Sequence, residues 1–400
     1  MKTRVAVVFG GNSVEHEVSV ISAIQAIMSM DTEKYEITPV YIAKNGEMYT
    51  GANVGNIEAY KNIDKLIKES TRIIFVKEGS KVFLAPYPMK AFGKKNKIEI
   101  DVAFPIVHGT NVEDGTLQGY LKTIGIPYVG CDVTASAIGM DKYIMKTVLK
   151  DNDIPVLDGA LYTVGDFKNL EGLMDKIEAR FGYPVIVKPF NTGSSVGIGV
   201  AKDREELEKR VEDAFMFARK IVVEHAITKL REINCSVLGD DEEAIPSVCE
   251  EPMHTEEILS YEDKYVNNAK GGSKGMASVA RQIPANISDE LRTRIEELSV
   301  KAFKCLGCNG VARIDYMIDE ENGELYFNEI NTIPGSLAFY LWEPKGVPYK
   351  TLLDRMIELA LKRAREEEEV TFVFNTNILN QSSLGGAKGS KGGKVSMYSK

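Results

Sequence analysis

The first 130 residues alternate short apolar runs with stretches whose apolar residues recur every three or four positions. Residues 5–9 form an apolar, β-branched run, and residues 18–28 follow it with helical spacing. Further strand-like runs lie at residues 37–42, 101–107 and 128–129. Strands that alternate with helices are typical of a parallel sheet with crossover helices. The pattern therefore predicts an N-terminal α/β domain with a Rossmann-like parallel sheet, followed by one helix over residues 135–150.

Beyond residue 155, strands and amphipathic helices are mixed in a pattern typical of α+β domains. The predicted strands cover residues 160–162, 184–188, 198–202, 221–224, 233–238 and 311–318, and the predicted helices cover residues 166–180, 204–220, 288–306 and 349–367. The polar stretch 250–275 has neither pattern, and so long a connection is usually functional or disordered. We expect domains at residues 1–138, 139–235 and 236–375, with a flexible tail at residues 376–400.

The composition is that of an ordinary globular protein, with 44% hydrophobic and 27% charged residues among 400. The 58 acidic and 49 basic side chains give a net charge of −9, which disfavours nucleic acid and anionic membranes as partners. No apolar run approaches the roughly 18 residues of a membrane span, and residues 5–9 are too short for a signal peptide. We therefore expect a cytoplasmic protein with neither a nucleic-acid nor a membrane partner.

The cysteines predict neither a disulfide framework nor a zinc site. Five is an odd number, which suits a reducing compartment. Cys305 and Cys308 form a CxxC pair, but no second pair or histidine pair accompanies it. We expect both to be small buried residues.

Two glycine-rich loops are candidates for binding an anion. The first, at residues 10–13, lies between a predicted strand and a predicted helix, where free backbone amides suit an anionic or polar ligand. It lacks the GxGxxG spacing of a dinucleotide site, and a tight turn that requires glycine explains it equally well. This loop alone does not identify a ligand.

The second loop, residues 188–199, is called the flap below and lies between two predicted strands. Its three glycines let the backbone approach phosphates, Ser194 and Ser195 add hydroxyl groups, and Lys188 at its base supplies a positive charge. Because it joins two strands, it is not a Walker loop, which opens a helix. A flexible hairpin without a ligand is the alternative.

A third set of residues carries hard oxygen ligands. Glu329 and Asn331 alternate on one predicted strand, and Asp315 lies on the preceding strand, across a turn at residues 319–323. Residues two apart share a face of a strand, so the three side chains can converge. Each alone is an ordinary surface group. Together with a phosphate-binding flap they suit Mg²⁺ and ATP chemistry.

Six motifs, taken in order, resemble those of the ATP-grasp superfamily and, within it, the D-alanine–D-alanine ligase family. They are GGNSVEHEVS at residues 10–19, HGTNVEDGTLQG at 108–119, KPFNTGSSV at 188–196, DKY at 263–265, ARID at 312–315 and NEINTIPG at 328–335. The likeness extends over residues 4–375. It implies a three-domain ATP-grasp fold and an ATP-dependent enzyme that joins two D-amino acids through an acyl phosphate for peptidoglycan synthesis.

The resemblance also implies roles for the matching residues. Glu15 would bind the ammonium group of the first substrate within a hydrogen-bonded set that includes Ser194 and Tyr265, with His108 in the same pocket. Arg313 would lie at the developing oxyanion, where a fixed charge stabilises the transition state. The residues implied for ATP are Lys142, Lys188 and Ser195 at the phosphates, Glu224 and Glu232 at the adenosine end, and Lys264. Those implied for two Mg²⁺ (or Mn²⁺) ions are Asp315, Glu329 and Asn331.

Lys264 and Tyr265 lie in the polar stretch, which the resemblance implies is a loop that closes over the reacting centre and excludes water. The alternative is an idle exposed loop. Which group accepts the proton of the attacking amine is left open. ATP and D-alanine are the implied ligands, and a homodimer is the implied assembly.

The sequence departs from the family near the second substrate. Val112 stands where the family usually has glycine, and residues 336–342 replace a more hydroxyl-rich segment. Tyr340 falls where a serine commonly contacts the carboxylate of the second substrate, and Leu341 adjoins it. D-alanine, D-serine and D-lactate therefore all remain candidates, and Tyr265 favours an amine. Another ATP-grasp carboxylate–amine ligase, or a nucleotide-binding regulatory protein without turnover, are the rival hypotheses.

Overall fold

The computed structural model describes residues 2–88, 96–253 and 281–373. Lys264, Tyr265 and the predicted tail at residues 376–400 lie outside these ranges. Among the described residues, those up to Lys362 form one compact unit, and those from Arg363 onwards form a second. The first unit contains three sheets, each built from one part of the chain. They are called the N-terminal, middle and C-terminal sheets below.

The N-terminal sheet is mixed rather than wholly parallel. Its strands are β1 Thr3–Gly10, β2 Tyr35–Ile42, β3 Met48–Thr50, β4 Thr71–Glu78, β5 Lys81–Pro86, β6 Ile98–Ile100 and β7 Val102–Ile106, in the order β6-β5-β4-β3-β2-β1-β7. The predicted parallel pairing is confirmed for β2-β1-β7, whereas β3 to β6 pair antiparallel. The links from β2 to β3 and from β4 to β5 are too short for a crossover, which a parallel pair requires.

The middle and C-terminal sheets are antiparallel. The middle sheet contains β8 Gly159–Thr163, β9 Val185–Pro189, β10 Gly199–Ala201 and β11 Lys220–His225, in the order β10-β9-β11-β8. The C-terminal sheet contains β12 Leu230–Gly239, β13 Ala244–Pro252, β14 Arg281–Gln282, β15 Gly310–Asp319 and β16 Glu324–Asn331, in the order β14-β13-β12-β15-β16. The flap joins β9 to β10, as predicted. Residues 250–252, expected to lack regular structure, belong to β13 because they continue its pairing toward β14.

The described α-helices are α1 His16–Ser29, α2 Ile63–Glu69, α3 Thr116–Ile124, α4 Val133–Met140, α5 Lys142–Asp151, α6 Val164–Phe167, α7 Leu170–Phe181, α8 Arg204–Phe215, α9 Asp289–Cys305 and α10 Tyr349–Glu368. The single helix predicted over residues 135–150 is two helices, α4 and α5. Asp141 between them is extended, and its carboxylate accepts hydrogen bonds from the amides of Tyr143 and Ile144, which starts α5 afresh. The break places Lys142 at the first turn of α5, beside the flap. The helix predicted over residues 166–180 is likewise divided into α6 and α7, where Asn169 caps α7.

Three apolar clusters form the core. One packs β1, β2 and β7 with α1 and also takes in Ile333, Leu337 and Trp342 from the C-terminal part of the chain. The second lies between the C-terminal sheet and α9, and the third between the middle sheet and α7 and α8. Because the first cluster joins distant parts of the chain, burial of apolar area fixes the loop after β1 relative to residues 333–342.

The remaining predictions about the fold concern domain boundaries, cysteines and membrane-spanning helices. The boundaries predicted after residues 138 and 235 fall inside α4 and β12, so the domain limits stay a prediction. Cys308 is buried as expected, whereas Cys305 is half-buried, and all five cysteines are free thiols. No helix in the described parts of the chain is long and apolar enough to cross a bilayer.

Trp342, the single tryptophan of the sequence, tests the shared core. It has no exposed surface, and its indole Nε1 donates a 3.2 Å hydrogen bond to Ser236 Oγ. We expect Trp342→Ala to destabilise the fold by about 3–5 kcal/mol, and Trp342→Phe, which loses the hydrogen bond and leaves a smaller cavity, to destabilise it less than Trp342→Ala. Thermal unfolding followed by circular dichroism measures both; equal stability of the alanine variant and the parent would contradict this core.

Candidate active site

Two loops of the N-terminal sheet meet the flap at the carboxylate of Glu15. Glu15 follows β1 and is buried, and the hydroxyl of Ser194 in the flap donates a hydrogen bond to its Oε1 atom. A Cβ atom at Gly193 would lie 2.5 Å from Glu15 Oε2, and one at Gly109 would lie 2.8 Å from the same atom. Glycine is therefore required at both positions for the close approach of the two loops to this carboxylate.

The flap holds this position with strained backbone. Ser194 and Ser195 have φ values of 53° and 61°, in the left-handed region that is unfavourable by roughly 1–2 kcal/mol for a residue other than glycine. Strain of this kind persists where surrounding contacts fix the conformation, which is common at functional sites. The contact with Glu15 is one such contact.

His108 follows β7, so it lies at the same edge of the sheet as the loop after β1. Its Nδ1 atom is 2.9 Å from the carbonyl oxygen of Ile333, and its Nε2 atom is 3.1 Å from Ser22 Oγ. Burial lowers the pKa of His108 to about 4, although the hydrogen bond to Ile333 opposes the change. The imidazole is therefore neutral near pH 7 and links the N-terminal sheet to the segment after β16.

Glu113 makes a second link across the same junction, and sequence reasoning missed it. Its carboxylate accepts hydrogen bonds from the amides of Gly109 and Ile333, both at 2.9 Å, and from Thr332 Oγ1 at 3.3 Å. Burial, assisted by the charge of Glu15, raises the pKa of Glu113 to about 8. The position of Glu113 in the HGTNVEDG motif could have indicated this role in the sequence. Val112 beside it is buried and packs on Gly11.

Four charged side chains are buried under the flap. Lys146 and Lys188 both donate to the fully buried carboxylate of Glu224, Lys188 at 2.8 Å, and Lys188 also donates to Asn328 Oδ1 at 3.3 Å. Lys142 donates to the carbonyl oxygen of Thr192 in the flap at 2.7 Å and lies 3.5 Å from Glu329 Oε2.

This group carries more positive than negative charge. Burial would raise the pKa of Glu224, but the charges of Lys146 and Lys188 prevail and lower it to about 2. Burial lowers the pKa of Lys146 to about 8, and the charges of Lys188 and Lys142 add to the effect. The like charges are held in place by the fold, and a bound anion would relieve their repulsion. Lys146 was missed, although its position one helical turn after Lys142 could have indicated it.

The predicted metal ligands converge at the pairing of β15 with β16. Asp315 lies directly opposite Glu329, and Asn331 Nδ2 is 3.1 Å from Asp315 Oδ2. Arg313 donates two 2.7 Å hydrogen bonds to the Asp315 carboxylate. Burial, with Glu329 and Glu232 nearby, raises the pKa of Asp315 to about 6 against the opposing effect of Arg313. Several carboxylates crowded together are the electrostatic surroundings in which a cation binds.

This donor set fits Mg²⁺ in chemical type. Two carboxylates and an amide offer the oxygen ligands that Mg²⁺ prefers. In residues 2–88, 96–253 and 281–373 no three His, Cys, Asp or Glu side chains are grouped so that they could hold a metal ion. Glu232, expected at the adenosine end with Glu224, lies on β12 next to this acidic group, while Glu224 lies on β11 of the middle sheet.

The segment after Pro334 is a left-handed turn that the sequence did not indicate. Ser336, Leu337 and Ala338 have φ values of 51°, 53° and 50° and are buried. The amide of Ser336 donates to Ser22 Oγ at 2.9 Å, which fastens the turn to α1. The turn places Tyr340 half-buried beside Arg313. The side chain of Leu341 is fully buried, so a ligand could contact Leu341 only through its backbone.

The structure thus brings most of the predicted residues to one junction. They form three groups. The first contains Glu15, His108 and Ser194, the second contains Lys142, Lys188 and Glu224, and the third contains Arg313, Asp315, Glu329, Asn331 and Tyr340. Lys142 connects the second group to the third through its contact with Glu329. Ser195 lies in the flap beside Ser194. The roles assigned to all of these residues stay predictions.

Comparison with known proteins identifies the family. Residues 4–131 match the family model described as D-ala D-ala ligase N-terminus, and residues 148–358 match the one described as D-ala D-ala ligase C-terminus. The chain belongs to the D-alanine–D-alanine ligase family. It is therefore a member of a family of ATP-dependent ligases that form carbon–nitrogen bonds, as the motifs predicted.

Individual relatives cover nearly the whole chain. The D-alanine–D-alanine ligase of Thermosipho melanesiensis is 38% identical over 375 residues, which is 94% of this chain and 98% of that protein. The VanG D-Ala:D-Ser ligase of Enterococcus faecalis has a TM-score of 0.74 and 31% identity, over 90% of this chain and 100% of its own. A Bacillus anthracis D-alanine–D-alanine ligase solved with ATP has a TM-score of 0.62 and 27% identity, over 91% and 99%. The predicted ATP-grasp fold is confirmed.

His108 predicts a pH dependence of stability. Between pH 6.5 and 4 the unfolded chain binds a proton that the native imidazole does not, so acidification through this range lowers the free energy of unfolding by up to about 3 kcal/mol. We expect His108→Asn to lose less stability than the parent on acidification. Melting temperatures at several pH values measure this, with His225→Asn, at an exposed histidine, as control. Parallel curves for the parent and His108→Asn would contradict the assignment.

Proposed function

We propose that this protein joins two molecules of D-alanine, with cleavage of ATP to ADP and phosphate. The observation that carries the proposal is the hydrogen bond from Ser194 to Glu15. It ties the flap, a phosphate-binding loop by its composition, to a buried carboxylate suited to an ammonium group. An enzyme that transfers a phosphoryl group to the carboxylate of an amino acid needs a phosphate-binding loop beside a group that binds the ammonium end of that amino acid.

In the first step, a carboxylate oxygen of the first D-alanine attacks the γ-phosphorus of ATP, and ADP leaves. Glu15 holds the ammonium group of that D-alanine, which fixes the position of its carboxylate. His108, neutral and bonded on both ring nitrogens, lines the pocket without adding a charge. Ser194 and Ser195 present hydroxyls to the phosphates from the flap.

ATP binds over the buried cations. Lys142 and Lys188 contact its phosphates, while Glu224 and Glu232 lie towards the adenosine end. Lys146 adds a third positive charge and shares the Glu224 carboxylate with Lys188, so the one carboxylate does not neutralise both lysines. The resemblance adds Lys264 to this set, outside the described residues.

Asp315, Glu329 and Asn331 would hold Mg²⁺. When bound, the metal would neutralise charge on the transferring phosphoryl group. The residues themselves contribute a rigid arrangement, because β15 and β16 pair directly at Asp315 and Glu329. Lys142 contacts Glu329 and so connects this cluster to the flap.

In the second step, the amine of the second D-alanine attacks the acyl phosphate carbon, phosphate leaves, and the amine loses a proton. Arg313 stabilises the oxyanion that forms on the attacked carbon. Tyr340 and the backbone of Leu341 face the acceptor, and Tyr265 belongs with Glu15 and Ser194. The product is a dipeptide for peptidoglycan precursors, made in the cytoplasm by a homodimer with domains at residues 1–138, 139–235 and 236–375.

An activity assay with product analysis tests the proposal. We expect ADP formation that requires both D-alanine and Mg²⁺, and a product with the mass of the D-alanine dipeptide. L-alanine should not support the reaction, and D-serine or D-lactate paired with D-alanine should be poorer than D-alanine alone. Saturating Mg²⁺ without D-alanine-dependent ADP formation would refute it; ATP binding without turnover would favour a regulatory protein.

Glu329 gives a sharper version of the test. Glu329→Gln should lower ADP formation at least about 100-fold, because it removes a charge that orders the phosphoryl group and its metal. Glu324→Gln is the matched control, since it makes the same change at an exposed position on the same strand. Equal activity of both variants would contradict the metal assignment.

A further inference from the structure

Tyr340 is held on two sides by charged residues that the proposed reaction does not use. Its hydroxyl donates a 3.2 Å hydrogen bond to Glu250 Oε1. The guanidinium carbon of Arg281 lies 4.3 Å from the centre of its ring. Arg281 Nη1 also donates to Glu250 Oε2 at 3.4 Å, so Tyr340, Glu250 and Arg281 each contact the other two. A ring held at its face and at its hydroxyl cannot rotate away without breaking both contacts.

Glu250 is itself rigidly placed. It lies on β13, is 2% exposed, and its Oε1 atom also accepts a 3.0 Å hydrogen bond from Asn234 Nδ2. Arg281 begins β14 and pairs with Pro252 of β13, two residues beyond Glu250. The strands of the C-terminal sheet therefore fix both residues that hold Tyr340.

The set adjoins the reacting centre. Tyr340 and Glu250 are both close enough to Arg313 for their charges to act on its guanidinium group. Burial raises the pKa of Tyr340 to about 12, so the hydroxyl keeps its proton at neutral pH. Any movement of Tyr340 would change both the volume beside Arg313 and the hydrogen bonds available there.

We infer that Glu250 and Arg281 are positioning residues for the acceptor: by fixing Tyr340 beside Arg313 they restrict the second substrate to a compact D-amino acid such as D-alanine. The inference rests on the proposed function. A fixed aromatic ring excludes a longer side chain by its volume, and volume is the property by which a pocket distinguishes substrates that differ in apolar groups.

A purely structural ion pair is the competing explanation, and the chain offers a matched control for it. Arg231 donates two 2.7 Å hydrogen bonds to Glu251, the residue next to Glu250. Adjacent residues on a strand point to opposite faces, so this pair lies on the other face of β13. Arg231→Ala removes a comparable ion pair from the same strand without touching Tyr340.

The experiment measures ADP formation by Arg281→Ala, Arg281→Lys, Arg281→Gln and Arg231→Ala in the full chain. For each variant the KM values of the first D-alanine, the second D-alanine and ATP are determined, with the melting temperature. We expect Arg281→Ala to raise the KM of the second D-alanine about tenfold, equivalent to about 1.4 kcal/mol, and to leave the other two KM values within about twofold. Arg281→Lys, which keeps a cation over the ring, should recover most of the loss.

The second measurement is the range of acceptor substrates that each variant uses. D-alanine as donor is paired with D-norvaline, a longer acceptor, and mixed dipeptide is measured by mass. Arg281→Ala and Glu250→Gln should increase the ratio of mixed dipeptide to D-alanine dipeptide, while Arg231→Ala should lower only the melting temperature.

An unchanged second KM and an unchanged acceptor ratio in Arg281→Ala would overturn the inference. Should that variant not fold, Arg281→Gln against Arg281→Lys makes the same comparison with smaller changes in volume. Failure of the parent chain to form ADP with D-alanine would instead refute the proposed function, so the two failures are distinguishable.

Discussion

The close approach of the flap to Glu15 is the contact on which the rest of the site depends. It requires glycine at positions 109 and 193, because a Cβ atom at either would collide with the carboxylate. It also holds Ser194 and Ser195 in left-handed backbone. If the flap moved away, the loops of the N-terminal sheet would lose their contact with the segment that adjoins the buried lysines of α5 and β9. Backbone packing thus fixes the position of the Glu15 carboxylate relative to the flap.

The positions of the buried charges are more informative about the site than the net charge of the chain. The chain is acidic overall, yet Lys146 and Lys188 share the one buried carboxylate of Glu224, and Lys142 lies between this group and Glu329 in the acidic group of the C-terminal sheet. Each group would be unfavourable alone, because buried like charges repel. A nucleotide and a divalent cation, bound together, would compensate both. The fold keeps the groups close enough, through the contact of Lys142 with Glu329, for one ligand complex to satisfy them.

The sequence was informative where chemistry depends on periodicity or on a short motif. Alternation along two strands predicted that Asp315 and Glu329 would face each other, and they pair directly. It was uninformative where position depends on distant packing. Glu250 and Arg281 meet Tyr340 only because β13 and β14 pair and the turn after Pro334 is left-handed, and no local pattern specifies either. The antiparallel extension of the N-terminal sheet was missed because β3 and β6 are only three residues long and both ends of β4 are exposed.

The fate of one carboxylate oxygen of the first D-alanine shows whether an acyl phosphate forms. If the first D-alanine is activated as an acyl phosphate, one of its carboxylate oxygens must leave with the released phosphate. D-alanine labelled with ¹⁸O in both carboxylate oxygens is incubated with unlabelled ATP and Mg²⁺, and the phosphate is analysed by mass. Activation as an acyl phosphate predicts one ¹⁸O atom in each phosphate molecule formed. Unlabelled phosphate, released while the dipeptide accumulates, would contradict it.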